Sequence, residues 1–374
     1  MRLHRLSLVN FKNIASAAPR FSEGFNCLVG DNGAGKTNVL DALHYLSMCR
    51  SSLGTTDRQS LRHGEAFFVV EGEYVDDEGH RRNVACSFAT EGEANTGKKI
   101  KCDGKEYDRF SDHVGVVPMV MVSPADTFLI SDAADERRRW LNSFVSQLDR
   151  AYLQSLVRYN AVLAERNRLL KEPLSRAGVE ILDVLDMQLS DHGDRIHARR
   201  AEIVDAMRPL VADYYACLSD DREEVEMTYR TEISTDRPLA EVLAAAREKD
   251  FAVGFTTAGV HRDDITMRIG GHPLRRYGSQ GQQKSFLVAL KLAQFSVSRD
   301  VSGETPLLLL DDLFDKLDTG RVERLIGLLD SDLFGQVFIS DCNRARLEGV
   351  LQRGGRTYSL FELANGNIVE NGNG

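Results

Sequence analysis

The chain contains 374 residues, of which 42% are hydrophobic and 28% charged, and its formal net charge is −9. Its apolar content is ample for folding, and its length favours one large α/β domain with a helical insertion, or two lobes. The acidic balance does not indicate a polyanion partner, so a nucleic acid would have to bind a local basic surface.

The spacing of the cysteines and histidines does not predict a metal-binding site formed by these residues. The six cysteines are scattered without a CxxC pair, and the nine histidines show no ligand spacing. We therefore expect a reduced, cytoplasmic protein. No stretch is long and apolar enough for export or for spanning a membrane, so we expect a soluble chain with no membrane partner.

The N-terminal third of the chain has the pattern of a mixed sheet that includes one helix. Apolar patterns predict strands at residues 3–11, 25–29, 67–74, 83–89 and 116–122, with hairpin signals between them.

Residues 30–37, here called the phosphate loop, read GDNGAGKT and lie between a predicted strand and a helical pattern. In this context the backbone N–H groups of such a loop surround nucleotide phosphates, and the helix N-terminus adds positive potential. Lys36 would bridge the β- and γ-phosphates and take part in catalysis, and Thr37 would ligate Mg²⁺. The predicted nucleotide-binding residues of the loop are Gly30, Asp31, Asn32, Gly33, Ala34, Gly35, Lys36 and Thr37.

Between residues 135 and 219 the apolar period becomes 3.6, which predicts two or more long helices that fold back on each other. Pro173 cannot continue the first helix and marks the break. Two arginine clusters lie on these helices, at 137–139 and at Arg195, Arg199 and Arg200. We interpret each cluster as a solvated or ion-paired helix face, and contact with a polyanion or a partner subunit is the open alternative.

A strand at 228–233 and a helix at 238–249 follow. We therefore predict a mainly helical second lobe at 129–249, inserted into a first lobe formed by 1–128 and 250–374.

Residues 278–284, here called the signature segment, read GSQGQQK and open a helix. A hydroxyl, a bare backbone and an uncapped helix N-terminus converge there, and such an end attracts anions. Because the chain already has one phosphate loop, we expect Ser279, Gly281 and Gln282 to bind the γ-phosphate of a nucleotide held by another protomer.

Four leucines at 307–310 predict a strand buried on both faces, and two carboxylates follow it. Asp311 would hold the Mg²⁺ through water, and Asp312 would orient or deprotonate the attacking water. A helix at 321–329 and a strand at 336–340 come next, and we expect the tail at 365–374 to be frayed. The sheet would thus be assembled from both ends of the chain.

Taken together, these segments resemble the RecF family, which is an ABC-type ATPase family related to SMC proteins but without a long coiled coil. The resemblance covers nearly the whole chain and includes VNFKN at 9–13, LRHGE at 61–65, the arginine-rich helix at 137–156 and HRDD at 261–264. It implies an ABC-type P-loop ATPase head with a mixed-sheet lobe I and a helical lobe II. It also implies ATP held between two head-to-head protomers.

The resemblance places Lys12 and Asn13 near the nucleotide and Asp318 at the dimer seam. Ser340 or Asp341 stands where related ATPases carry a switch residue, and Asp341 is not the histidine of many transport ATPases. Slow hydrolysis is therefore expected.

The resemblance also implies an ATP-dependent homodimer that clamps duplex DNA, gapped DNA or single-strand/duplex junctions. With RecR and RecO, such a clamp would help load RecA at single-strand gaps. Candidate phosphate contacts are Lys98, Lys99, Lys101 and Arg58, although ordinary solvated surface residues remain the alternative.

A transporter motor subunit shares the split-site logic and is the main rival function. A P-loop phosphotransferase would have no use for the signature segment, and the predicted helices are too short for an SMC-like tether. Stimulation of the ATPase by duplex DNA would separate the repair function from all three.

Overall fold

The computed structural model describes residues 1–90, 96–131, 133–171, 176–219, 223–314, 317–331, 333–353 and 357–373. The predicted helix break at Pro173 lies outside these ranges.

The described chain divides into two compact units. The first comprises Met1–Asp126, Tyr214–Arg222 and Gln280–Gly374, and the second comprises Thr127–Asp213 and Glu223–Ser279. These boundaries differ from the sequence-based lobes chiefly at residues 250–279, which pack with the second unit because β10 (Asp264–Ile269) pairs along its length with β9 (Val225–Arg230). The sequence-based lobe boundaries remain a prediction about domains.

A largely parallel sheet forms the centre of the first unit. In spatial order its strands are β15 (Asn367–Asn373), β14 (Tyr358–Ala364), β3 (Phe25–Val29), β13 (Val337–Asp341), β12 (Leu307–Leu310) and β8 (Met119–Val122). All neighbours are parallel except β15, which runs antiparallel to β14. The carboxyl ends of five strands therefore meet at one edge, where open α/β sheets bind ligands.

A second sheet of the same unit is antiparallel throughout. Its order is β2 (Ile14–Ala17), β1 (Arg2–Phe11), β4 (Phe67–Val75), β5 (Arg81–Ala89), β6 (Gly97–Cys102) and β7 (Lys105–Glu106). Helix α1 (Lys36–Met48) packs against it, and the rings of Phe11, Tyr45 and Phe68 meet edge to face at centroid distances of 5.3–5.9 Å. One apolar core thus joins both sheets to α1.

The remaining helices of the first unit are α8 (Gln280–Ser302), α9 (Thr319–Leu329) and α10 (Arg344–Arg353). Every residue of α8 from Ser285 to Ser298 is buried, so the helix that carries the signature segment is surrounded by protein over four turns.

The second unit is mainly helical. Its helices are α2 (Phe128–Ser131), α3 (Ala134–Leu148), α4 (Arg150–Leu169), α5 (Arg176–Ser219, of which the residues from Tyr214 belong to the first unit), α6 (Leu239–Val253) and α7 (Leu274–Tyr277). A small sheet of β11 (His272–Pro273), β10 and β9 completes it.

Buried ion pairs hold this helical unit together. The fully buried side chains of Arg166 and Asp250 lie 2.7 Å apart, and Arg200 joins Asp263 at 3.3 Å. Arg137 donates two hydrogen bonds to Asp264, at 2.7 and 3.1 Å. The structure therefore shows ion pairing for arginines of both clusters, and the HRDD motif supplies the carboxylates that pair with Arg137 and Arg200.

The C-terminal tail corrects one prediction. Residues expected to be frayed form β15, which pairs with β14 from Ala364↔Asn367 to Ser359↔Asn373. The polar composition of the tail hid this strand, because its pairing depends on the open edge of β14, which the sequence pattern did not reveal.

Gln336, which directly precedes β13, connects the two sheets of the first unit. Its side chain is 1% exposed, accepts a hydrogen bond from the N–H of Leu3 at 2.7 Å, and donates to the carbonyls of Leu3 and Ser22 at 2.8 and 2.7 Å.

We predict that Gln336→Leu lowers the free energy of unfolding by about 2–5 kcal/mol, because it removes the side-chain partners of the buried N–H and carbonyl of Leu3 and one of the two hydrogen bonds to the Ser22 carbonyl. Urea denaturation measures this loss. The matched variant Gln352→Leu changes an exposed glutamine and should stay close to the natural chain; an equal effect of both substitutions would contradict the role of Gln336.

Candidate nucleotide-binding site

The predicted site residues of the first unit gather at the carboxyl edge of the parallel sheet. The phosphate loop follows β3, Ser340 and Asp341 end β13, and Asp311 follows β12. The pairs Ser340↔Leu28 and Leu310↔Ile339 keep these three strand ends level with one another. Parallel register therefore brings together residues that are about 300 positions apart in sequence, as the numbering of Leu28 and Ser340 shows.

The phosphate loop adopts the backbone that its glycines permit. Gly35 has a φ of 117° and is the N-cap of α1, and a Cβ built on it would lie 3.0 Å from Asn13 Oδ1. Side chains rarely adopt this φ, so glycine is required both by the turn and by the closeness of Asn13. Lys36 is 4% exposed and its ammonium donates to the carbonyls of Gly30 and Asp31, at 2.7 and 3.1 Å. The cation is thus held at the mouth of the loop.

Asn13 supports the loop from outside. Its amide donates to the carbonyls of Gly33 and Ala34, at 3.4 and 3.3 Å, and accepts a hydrogen bond from Asn38 at 2.8 Å. The N–H of Gly366 donates to the same Ala34 carbonyl at 3.1 Å. Resemblance placed Asn13 near the nucleotide; the structure shows it bound to the loop backbone, and the contribution of Gly366 was missed.

Lys12 has a different partner. Its ammonium lies 2.6 Å from the buried carboxylate of Asp41, which also accepts a hydrogen bond from Ser51 at 2.8 Å. Burial alone would raise the pKa of Asp41, but the charge and hydrogen bonds of Lys12, with those of Ser51 and Ser52, hold it below its ordinary value. In this structure Lys12 therefore stabilises α1 and the segment after it.

One carboxylate oxygen of Asp311 accepts hydrogen bonds from two hydroxyl groups. Thr37 Oγ1 donates to Asp311 Oδ1 at 3.0 Å, and Ser340 Oγ donates to the same atom at 2.6 Å. Asp311 is 3% exposed. Burial raises the pKa of this carboxyl, although the hydrogen bonds from Ser340 and Thr37 and the charge of Lys36 act in the opposite direction.

This pair of residues fits a divalent cation. A carboxylate and a hydroxyl are the hard oxygen ligands that Mg²⁺ prefers, and Mg²⁺ usually keeps several waters beside one or two such ligands and the phosphates. A buried carboxylate whose pKa is raised is also one that an added cation would stabilise in its charged form. The residues present thus fit such a cation, and Thr37 and Asp311 could hold it.

Asp312 occupies a constrained position at the end of β12. Its φ is 44°, in the left-handed region, and its N–H donates to Ser340 Oγ at 2.9 Å. Non-glycine residues with such backbones persist where their surroundings fix them, often at functional sites. Ser340 thus contacts both carboxylate residues, through the side chain of Asp311 and the backbone of Asp312.

The structure distinguishes the two candidates for the switch position. Asp341 is 1% exposed and is held by Arg346, whose Nη2 lies 2.9 and 2.7 Å from its two oxygens. The N–H of Asn343 also donates to it at 2.6 Å. Asp341 therefore fixes the turn between β13 and α10, whereas Ser340 contacts the acidic pair.

The signature segment spans the boundary between the units. Ser279 is the last residue of the second unit, and Gly281 and Gln282 lie in the first turn of α8. Their contact with a nucleotide stays a prediction.

Sequence reasoning missed a buried cation on α8. Lys291 is 5% exposed, pairs with Asp126 at 2.6 Å and donates to the carbonyl of Met121 at 3.0 Å. Asp126 also accepts from the N–H of Ser123 at 2.7 Å. This ion pair holds α8 against the loop that follows β8. The only sign of it in the sequence is a lysine among the apolar residues of α8.

Of the candidate DNA contacts, Lys98 is already engaged. Its ammonium lies 3.0 Å from Asp57 and over the rings of Tyr45 and Phe110, at 4.8 and 5.4 Å. Lys101 and Arg58 are exposed. The structure therefore favours a packing role for Lys98.

Within the described ranges, no helix combines the length and apolarity needed to cross a membrane.

Comparison with known proteins finds relatives over nearly the whole length of the chain. A family model described as "RecF/RecN/SMC N terminal domain" matches residues 2–364. The DNA replication and repair protein RecF of Bacteroides thetaiotaomicron is 42% identical over 372 residues, covering 100% of this chain and 99% of that protein. The protein of the same name from Porphyromonas gingivalis is 42% identical over 370 residues, covering 99% and 100%.

Solved structures of related proteins have the same fold. A recombination mediator protein RecF bound to ATPrS, described in the RecFOR pathway, aligns with a TM-score of 0.87 at 26% identity and covers 99% of this chain and 98% of that one. An Smc head domain from Pyrococcus furiosus aligns with a TM-score of 0.60 at 14% identity, over 98% and 96% of the two chains, and shows the shared fold. The predicted fold class is confirmed, and the chain belongs to the RecF family of DNA replication and repair proteins, with the ATPase-type head shared with SMC proteins.

Proposed function

We propose that this chain binds ATP with Mg²⁺, closes into a dimer around the nucleotide on DNA, and reopens after slow hydrolysis. The observation that carries the proposal is the bond from Thr37 Oγ1 to Asp311 Oδ1, at 3.0 Å, between the helix that follows the phosphate loop and the buried acidic strand end. A hydroxyl and a carboxylate joined beside a phosphate loop form the pair that holds Mg²⁺ in P-loop NTPases. A RecF relative solved with ATP supports the choice of nucleotide.

Each residue of the site has a separate task. The backbone of Gly30–Thr37 would surround the phosphates, Lys36 would contact the β- and γ-phosphates, and Thr37 and Asp311 would hold the metal. The metal would neutralise phosphate charge when bound. Asp312 orients or deprotonates the attacking water.

The second half of each site comes from the other protomer. Ser279, Gly281 and Gln282 would contact the γ-phosphate of ATP bound to the partner, so ATP would bind the dimer more tightly than the monomer. A ligand shifts an equilibrium by its difference in affinity for the two states. ATP would therefore drive pairing, and hydrolysis would release it.

The proposed setting is recombinational repair, supported by the names of the relatives. A two-fold dimer duplicates each local basic surface and can straddle a duplex that an acidic monomer holds poorly. The clamp would act on duplex or gapped DNA or on single-strand/duplex junctions, with RecR and RecO, to help load RecA at gaps. We propose a weak, DNA-stimulated ATPase in the cytoplasm, associated with the nucleoid.

A transporter motor subunit, the rival function, is not favoured. The full-length relatives carry repair names, and Asp341 replaces the switch histidine of many transport ATPases.

We predict that Lys36→Ala weakens ATP binding by about 1.5–3 kcal/mol, the usual contribution of a hydrogen bond to a charged group. Calorimetry with Mg-ATP measures this loss. The exposed residue Lys249 provides the control Lys249→Ala, which should bind ATP normally. Unchanged ATP affinity in Lys36→Ala would remove the lysine from the site.

We predict that Ser279→Arg leaves the ATP affinity of the monomer within about twofold but prevents pairing, since a long cation would fill the space of the γ-phosphate; a twofold change is about 0.4 kcal/mol. Light scattering with and without ATP reports pairing. The smaller change Ser279→Ala should weaken pairing without abolishing it. Normal pairing of Ser279→Arg would count against a role in trans.

We predict that Asp312→Asn lowers turnover by about 10²–10⁴, the usual contribution of a general base, and leaves an ATP-bound dimer on DNA. Phosphate release and DNA retention are the measurements. Asp300→Asn, which changes an exposed carboxylate on α8, is the control. Turnover equal to that of the natural chain would exclude Asp312 as the catalytic carboxylate.

A further inference from the structure

The backbone conformation at position 281 does not require a glycine. Gly281 lies in the first turn of α8 and is absent from the residues with positive φ, so its backbone is one that any residue can adopt. Glycine inside a helix is less stable than alanine by about 1 kcal/mol. The reason for this glycine must therefore lie in the space that it leaves.

Arg321 occupies that space. A Cβ built on Gly281 would overlap Arg321 Nη1, so the guanidinium lies directly against the bare backbone of the signature segment. Both residues belong to the first unit. The contact brings a permanent positive charge to the first turn of α8, where the helix N-terminus already favours an anion.

Asp318 holds this arginine in place. Its side chain accepts a hydrogen bond from the N–H of Arg321 at 3.0 Å and lies 3.5 Å from Arg321 Nε. The carboxylate also caps α9. Because Asp318 engages Nε, the terminal nitrogens are directed toward Gly281, and the Arg321 side chain remains 21% exposed.

We propose that Arg321 contacts the γ-phosphate of the ATP bound to the other protomer and stabilises the charge that develops there during hydrolysis. This inference rests on the split site of the proposed function and adds to it a catalytic cation that acts in trans. In the step it serves, the water oxygen forms a bond to the γ-phosphorus and the bond from that phosphorus to the β–γ bridging oxygen breaks. The electron pair stays on ADP, and the water proton passes to Asp312. Arg321 forms no covalent bond and donates N–H groups to the phosphoryl oxygens.

The first test compares single variants. Arg321→Gln should bind ATP as a monomer with unchanged affinity and should lose at least about a hundredfold in turnover, the lower end for removal of one charge-stabilising donor. Arg321→Lys should recover part of the rate, because it restores charge without the forked geometry. Arg324→Gln is the matched control on the same helix, since Arg324 Nη1 donates to the carbonyl of Leu218 at 3.1 Å. Full turnover of Arg321→Gln would overturn the proposal.

The decisive test mixes two impaired variants. In a heterodimer of Lys36→Ala and Arg321→Gln, one site combines an intact phosphate loop with an intact Arg321 from the other chain. Action in trans therefore predicts that the mixture hydrolyses ATP much faster than either variant alone. Action within one protomer predicts no recovery, because the chain with the intact loop carries the altered arginine. A structural role in holding the signature segment would also be complemented, but its loss of turnover would disappear at protein and ATP concentrations that drive pairing to completion. Full turnover of Arg321→Gln under those conditions would overturn the proposal.

A reference mixture separates this inference from the proposed function. Lys36→Ala with Ser279→Ala, which retains pairing, should also recover activity if the site is split. Recovery there but not with Arg321→Gln would overturn the role of Arg321 alone. Failure of both mixtures would overturn the split site, and the inference about Arg321 with it.

Discussion

The site depends on one buried carboxylate. Asp311 lies at the end of a strand of four leucines and is 3% exposed, so its charge is far less stabilised by water than that of a surface aspartate. Hydroxyl groups from Thr37 and Ser340, at 3.0 and 2.6 Å, provide the hydrogen bonds that it needs. Each comes from a different element, so these hydrogen bonds form only while α1, β12 and β13 keep their places.

The need to place both hydroxyl groups beside Asp311 is met by the strand order of the parallel sheet. β13 lies between β3 and β12, so the strand that carries Ser340 separates the strand that leads to the phosphate loop from the one that leads to Asp311. A slip of one residue in β13 would turn Ser340 to the other face and present Asp341 instead. Gln336 at one end of the strand, and the ion pair of Asp341 with Arg346 at the other, oppose such a slip.

Part of this arrangement is readable from the sequence. The phosphate loop and the acidic strand end are local patterns, because glycines, a lysine and a run of leucines act through their immediate neighbours. Ser340, Asn13 and Gly366 are different: each acts through a contact with a residue distant in sequence, and the required information is which strands are neighbours. The edge strand β15 was mispredicted for the same reason, since its partner and not its composition makes it a strand. The sequence around Arg321 does not indicate a role in the site, because its closeness to Gly281 depends on how α8 and α9 pack.

The two halves of the proposed site differ in how completely one chain builds them. The metal half is assembled within the first unit by hydrogen bonds between named atoms, whereas Ser279, Gly281 and Arg321 would meet the proposed nucleotide only through a second copy. The most direct measurement is sedimentation velocity of the natural chain with Mg-ATP, with and without duplex DNA. The account predicts a monomer without nucleotide and a dimer with ATP, reinforced by DNA. A chain that stays monomeric when saturated with ATP, at every concentration and with DNA present, would contradict it.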